Sequence, residues 1–253
     1  NRLINLGNDT GYETSDNVHQ IGNVSRAENG QPYPFFYGYK TAGIFQNQAQ
    51  VDAYVNSKGE KLQPNAQPGD VIFVDYNKDG VINDGDKTKI GKGDPDWTWG
   101  LNFSASWTNI DFSMLWAGSF GNKIFDATRR VDLRYVNLPQ EFMDRWHGEG
   151  TSNKLPRFSW KSDNDNWRVS DLYIKNGDYA RLKNIQLGYT FPDEWTRLFF
   201  VSNLRVYVAA ENLITITGYK GMEPEIYNGT QSGIDRGFYP QNRTYTVGLS
   251  VTF

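Results

Sequence analysis

The chain has 253 residues, a net charge of −3, no cysteine, 15% aromatic residues and a mean hydropathy of −0.65. The near-neutral charge argues against nucleic acid as a partner, and no apolar run of about 18 residues exists to form a membrane helix. A β-barrel escapes that second exclusion, because half of each spanning strand is polar. The lack of cysteine fits an envelope location without requiring one.

Residues 1–6, with Leu3, Ile4 and Leu6, read as the tail of a strand. The chain opens NRLINLG with no signal peptide, so the expectation is a C-terminal piece of a longer exported protein. Residues 7–96 are polar and rich in Gly, Asn, Asp and Pro, far beyond an ordinary loop. Within them, YPFFYGYKTAGIFQ (33–46) is aromatic and punctuated by glycine. Residues 47–60 predict a short helix, with Asn47 as cap, Val51 and Tyr54 on one side, and Gly59 following.

The sharpest local motif is DYNKDGVINDGD (75–86). Asp75, Asn77 and Asp79 stand at a spacing of two, Gly80 allows a sharp turn, and Val81 offers its carbonyl. Asp86 takes the twelfth place, where an EF-hand has Glu. Hard oxygen donors so spaced suit Ca²⁺ in a structural role. An Asx-rich turn without metal is the alternative, and the strand-like flanks imply no complete EF-hand.

Residues 97–120 carry the clearest pattern. Trp97, Trp99, Leu101, Phe103, Ala105 and Trp107 alternate with Thr98, Gly100, Asn102, Ser104, Ser106 and Thr108. After Thr108-Asn109 the alternation resumes with Ile110, Phe112, Met114 and Trp116, Leu115 departing from it. A period of two over two runs joined by a tight turn predicts a hairpin. Its non-apolar face is small and nearly uncharged, as in a transmembrane barrel strand, whereas a soluble sandwich exposes long charged groups.

Residues 122–179 form a second long loop, partly helical around DATRRVDLRYVNLPQEFMDRWHGEG. His147 and His19 are the only histidines, so neither a zinc site nor a Ser–His–Asp triad has support. Asp163 and Asp165 resemble a glycosidase pair no more than an Asx-rich loop. Strands follow at 181–191 and 203–213, linked by the connector 192–202; a loop at 214–242 precedes a final strand, RTYTVGLSVTF, ending on Phe253. Long and short connections alternate, as when all long loops lie outside the cell and the C-terminus is periplasmic. About six strands result, too few to close a barrel, for which about eight are needed.

FFYGYKTAGIFQNQAQV, GDVIFVDYNKDGVINDGDKTKIG, FGNKIFDATRR, NGDYARLKNIQLGYTFP, LRVYVAAENLITITGYKGMEPE and YPQNRTYTVGLSVTF, in this order, resemble the C-terminal part of SusC-like (SusC/RagA-type) TonB-dependent transporters of Bacteroidetes-type bacteria. The resemblance covers nearly the whole chain. It implies an all-β antiparallel barrel of 22 strands in the bacterial outer membrane, a plug domain, a SusD-like lipoprotein lid, and TonB-energised uptake of oligosaccharides or sometimes peptides. The plug and the TonB-contacting segment are absent from these residues. On this reading Trp160, Trp167, Tyr227 and Tyr239 are candidates to stack on substrate, with loop packing or lid contact as the alternative. No nucleophile–base constellation supports an enzyme. A soluble carbohydrate-binding β-sandwich with a structural calcium is the reading from another class.

Overall fold

The computed structural model describes residues 2–14, 17–18, 21–129, 137–159, 164–226 and 233–253. The chain divides into two compact units: residues 1–94, 123–175 and 226–237 form one, and residues 95–122, 176–225 and 238–253 form the other.

The second unit is a five-stranded antiparallel meander. Its strands are β1 (Trp97–Trp107), β2 (Ile110–Phe120), β3 (Tyr179–Thr190), β4 (Asn203–Thr217) and β5 (Thr244–Thr252), ordered β5-β4-β3-β2-β1. Every neighbour in space is a neighbour in sequence, as in an up-and-down barrel wall. Trp97 pairs with Phe120 and Trp107 with Ile110, so Thr108-Asn109 close the hairpin, Thr108 in the left-handed region at φ 53. Five strands form, not six: residues 2–6 carry no strand, and Leu3 instead exchanges backbone bonds with Gly30 and Gln31. Leu3, Ile4 and Leu6 are too few to sustain an alternation.

β4 runs four residues beyond the expected end at 213 because of a bulge. Opposite the step from Leu182 to Asn184, β4 advances from Ile214 to Glu211 and β2 only from Trp116 to Leu115. Extra residues on β3 and β4 interrupt the period of two there, Asn212 adopting φ 52, and the alternation restarts beyond it. The same level explains Leu115, which faces the polar side between Asn102 and Asn184.

The first unit is built of short strands around three apolar clusters. Tyr12–Thr14, Ser25–Glu28, Phe35–Gly38 and Thr88–Lys92 form one sheet, and Thr41–Ile44 pairs with Val71–Phe73. The largest cluster holds Val18, Val24, Phe36, Phe125, Ala127, Val169, Tyr173 and Ile234. Phe125 stacks on Tyr173 with centroids 5.1 Å apart and tilts against Phe36 at 5.8 Å. Burying such a ring is worth about 3 kcal/mol, and the cluster joins residues of 7–96 to residues of 123–175 and 226–237 in one folded unit. The expected helix forms at Gln48–Ala53, with the Asn47 side chain accepting the Gln50 N–H.

A buried polar network braces this unit. Asp70 accepts Arg157 through Nε at 2.7 Å, Asn166 Nδ2 at 2.9 Å and the Gln67 N–H at 2.9 Å. Asn166 in turn accepts the Val71 N–H, while Gln63 bridges the Val71 carbonyl, the Phe73 N–H and Asn164. The run Asn164-Asp165-Asn166 is thus structural: its two Asn side chains point inward, and Asp165 is exposed beside Arg168.

Candidate functional site

The registry of the five strands sorts their side chains onto two faces. Trp107, Ile110, Tyr189, Val206 and Leu249 follow one another across the sheet, and Ala105, Phe112, Leu187, Val208 and Val247 form the next row. The face is apolar and largely bare, with Leu182 and Ala210 its buried members: Trp97 is 75% exposed, Trp107 79% and Val247 78%. A soluble sandwich buries such a face under a second sheet. Ten steps of about 3.3 Å from Trp97 to Trp107 give roughly 33 Å along the strand, or about 25 Å of height at barrel tilt. That is the height of a lipid-facing band with aromatic residues at both rims.

The opposite face is small and polar, with Ser104, Ser106, Ser113, Gly188, Thr246 and Ser250 among its members. Its charges are paired in two places. Asp111 on β2 meets Arg205 on β4 at 2.9 and 2.5 Å, passing over Gly188 of the intervening strand. At the other end Arg181, 2% exposed, donates to Glu223 at 2.5 Å, to Glu225 at 3.0 Å and to Thr215 at 3.0 Å. Lys183 completes the neutral cluster through Glu225 at 2.6 Å, and Glu223 also accepts the Gln241 N–H. The segment following β4 is thereby tied to the polar face. Nothing in the alternation announced this cluster; an arginine placed in a strand row of Thr, Ser and Asn was its one signal.

The loop 75–86 folds as nested Asx turns. Asp75 Oδ2 accepts the Gly80 N–H, Asn77 Oδ1 the Asp79 N–H, and Asp79 Oδ1 the Val81 N–H, each at 2.9 Å. The Asn77 amide, the Val81 N–H and the Asn83 amide hold the Asp79 carboxyl below the usual carboxylate range. Asp86 is fully buried and accepts the N–H groups of Tyr76, Asn77 and Asn83, so both of its oxygens close the loop. Asp75 Oδ1 is buried without a hydrogen-bond partner. An orphaned anionic oxygen is the group a hard cation satisfies. Among the described residues no three His, Cys, Asp or Glu side chains converge on one point; the loop's donor set mixes carboxylates with amide and carbonyl oxygens. Nearby, Tyr39 donates to Asp84 at 3.0 Å, and burial together with that carboxylate pushes its phenol up to about 12.

Trp167 packs against the large core cluster, tilted on Phe142 at 5.6 Å, and its carbonyl accepts the Tyr173 hydroxyl. Tyr239 is 83% exposed. Trp160, Tyr227, Asp163 and His19 lie outside the described residues. His147 is exposed, with Nδ1 3.0 Å from the Arg145 carbonyl. An open groove of about 660 Å³ is lined by Phe45, Gln46, Gln50, Tyr54, Ser152 and Asn153. Gln46 and Tyr54 spend their polar groups on Ile44, Ser152, Gly150 and Phe73, so the groove offers mainly apolar surface.

An exposed apolar face about 25 Å tall backed by a small polar face defines a section of transmembrane β-barrel wall. Comparison with known proteins agrees. The chain is 29% identical over 233 residues to TonB-dependent receptor P3 of Formosa agariphila, covering 88% of this chain and 22% of that protein. It is 30% identical over 236 residues to receptor P26 of the same organism, covering 88% and 23%. Against TonB-dependent receptor SusC of Bacteroides thetaiotaomicron it is 29% identical over 248 residues, covering 96% and 23%. The RagAB peptide importer in its open-open state superposes with a TM-score of 0.71 at 20% identity, over 100% of this chain and 25% of that one, which shows a shared fold. No family model matches. The chain is a portion of a TonB-dependent receptor of the SusC/RagA type, spanning about a quarter of the length of the relatives it matches. These relatives are receptors and importers, not enzymes.

Two glycines separate wall packing from charge pairing. A Cβ on Gly118 meets the backbone carbonyl of Tyr179 and the Trp99 indole, whereas one on Gly188 meets only the movable ends of Arg205 and Asp111. Gly118→Val is expected to destabilise the barrel by about 2 kcal/mol, and Gly188→Ala by at most about 1 kcal/mol, the scale of an exposed ion pair. The temperature at which the receptor loses its compact, SDS-resistant form checks the ranking.

Proposed function

We propose that this chain forms part of an outer-membrane importer of oligosaccharides, energised through TonB and covered by a SusD-like surface lipoprotein. The observation that carries the reading is the two-faced sheet: one face fits lipid, and the other presents hydroxyls, amides and paired charges to a wet lumen. The long connections all leave one end of the sheet and the short links 108–109 and 191–202 the other. That end is assigned to the cell exterior, which puts Phe253 on the periplasmic side. Oligosaccharide as cargo rests on the SusC-like sequence blocks, with exposed Tyr239 as the described stacking candidate. Peptide cargo is the second reading, favoured by the likeness to the RagAB peptide importer.

The intact receptor, extracted in detergent, is expected to co-purify with a lipoprotein, and its deletion to abolish uptake of one class of labelled oligosaccharide. Loss of peptide uptake alone would select the second reading. A monodisperse 28.9 kDa monomer, soluble without detergent, would contradict both.

We further propose that Asp75, Asn77, Asp79 and the Val81 carbonyl hold a structural Ca²⁺, with Asp86 shaping the loop through its backbone bonds. Bound metal neutralises the Asp75 and Asp79 carboxylates and fixes the turn; no chemistry is asked of it. At a hundredfold excess over Kd, calcium is expected to stabilise the loop unit by about 2.7 kcal/mol. Asp75→Ala should remove that response to calcium and chelator in thermal unfolding. An unchanged melting temperature on chelation would contradict the site.

A further inference from the structure

β1 and β2 are linked by Thr108 and Asn109 alone, yet β3 and β4 are linked by residues 191–202. Their ends need no such bridge, since Phe191 N–H already donates to the Leu204 carbonyl at 2.8 Å. The extra chain is not a slack loop. It folds into a helical turn at Asp193–Thr196 followed by a 3₁₀ turn at Arg197–Phe199, with Trp195 N–H donating to Pro192, Phe200 N–H to Arg197 and Val201 N–H to Thr196. Thr196 is buried beneath it.

What this compact turn displays is apolar. Trp195 is exposed, Leu198 is 78% exposed and Phe200 is 89% exposed. Phe200 also sits at φ +59, in the left-handed region where Gly or Asn closes a helical turn with less strain. A large aromatic residue is thus held outward at a position whose backbone disfavours it. Rings lead from here onto the sheet: Phe191 lies 6.4 Å from Trp195 and 5.1 Å from Tyr189, and Tyr189 belongs to the apolar row with Trp107 and Leu249. The polar residues of the turn are Asp193, Glu194 and Arg197, the last 3.8 Å from Asp193 and exposed with it. Exposed large apolar groups beside charged ones, in a segment continuous with the apolar face of the wall, describe an interfacial element.

We infer that residues 192–200 are a foot that seats Trp195, Leu198 and Phe200 in the headgroup–acyl boundary of the lipid leaflet at the short-link end of the wall. The partner is a phospholipid surface, and the inference rests on the sheet being a barrel wall. The charged groups of the turn stay in the headgroup water, while the three side chains extend the aromatic rim beyond the strand ends.

The 253 residues contain no cysteine, so Leu198→Cys and, separately, Val247→Cys place single labels in this region of the intact receptor. Each carries an environment-sensitive fluorophore in phospholipid vesicles that contain lipids spin-labelled near the headgroup or near the chain end. Leu198 is exposed, so its replacement leaves folding intact, checked by the SDS-resistant form. The label at 198 is expected to be quenched at least about twofold more by headgroup-proximal than by chain-end spin labels, as for an interfacial helix. The label at 247 is expected to respond to the chain-end lipids. A label at 198 that answers only to aqueous iodide, with 247 still quenched by lipid, overturns the foot while leaving the wall, and indicates a turn in water or under a periplasmic protein. A label at 247 indifferent to lipid overturns the wall and the foot with it.

Discussion

In hydrocarbon there is no water to satisfy a backbone amide, so a chain crossing it as strands must pair every N–H and C=O sideways and must separate its side chains by face. The five-stranded meander does both between its neighbouring strands, and the outer edges of β1 and β5 carry no strand partner among the described residues. Its hydrogen bonds run from strand to strand without a crossover, and its rows sort apolar from polar across the whole sheet. Every other feature of this unit serves that arrangement. Glycines let Trp99 lie over Gly118 and the Asp111–Arg205 pair over Gly188, so bulky or charged groups fit without parting the strands. On the polar face the Asp111–Arg205 pair and the Arg181–Lys183–Glu223–Glu225 cluster neutralise their own charges, which avoids the cost of an uncompensated charge.

The loop unit obeys the opposite rule. It is a body with its own apolar clusters, and its many Asx and Gln residues act as backbone substitutes. Asn164, Asn166 and Gln63 satisfy the amides and carbonyls of the short strand Val71–Phe73, and Asp70 holds Asn166 in place. Loop 75–86 repeats the device on a smaller scale, with Asp86 taking three backbone amides. A composition that reads as loop therefore yields an ordered body.

Much of the wall was legible because a period of two survives in Trp97–Trp107 and in residues 244–252, where no bulge intervenes. It failed where bulges reset the phase: β3 begins before 181 and β4 continues past 213, around Asn212. The Asn47-capped helix was legible from its cap. The loop unit's core was not, since Val18, Phe36, Phe125 and Ile234 come from segments far apart in sequence with no repeating pattern. Among the candidate residues, Trp167 packs half-buried against the loop unit's core, a placement that periodicity does not reveal. The Arg181–Glu223–Glu225 cluster was missed because its partners lie beyond the strand that carries it.

The central claim is that alternate residues of one strand meet lipid and lumen. The most direct measurement is spin-label accessibility along β5 of the intact receptor in outer-membrane vesicles, with single cysteines at Thr244, Tyr245, Thr246, Val247, Leu249, Ser250 and Val251. The account predicts that Tyr245, Val247, Leu249 and Val251 respond to oxygen and not to a polar nickel complex, while Thr244, Thr246 and Ser250 show the reverse preference. Uniform access to the polar reagent, with no alternation, would contradict it.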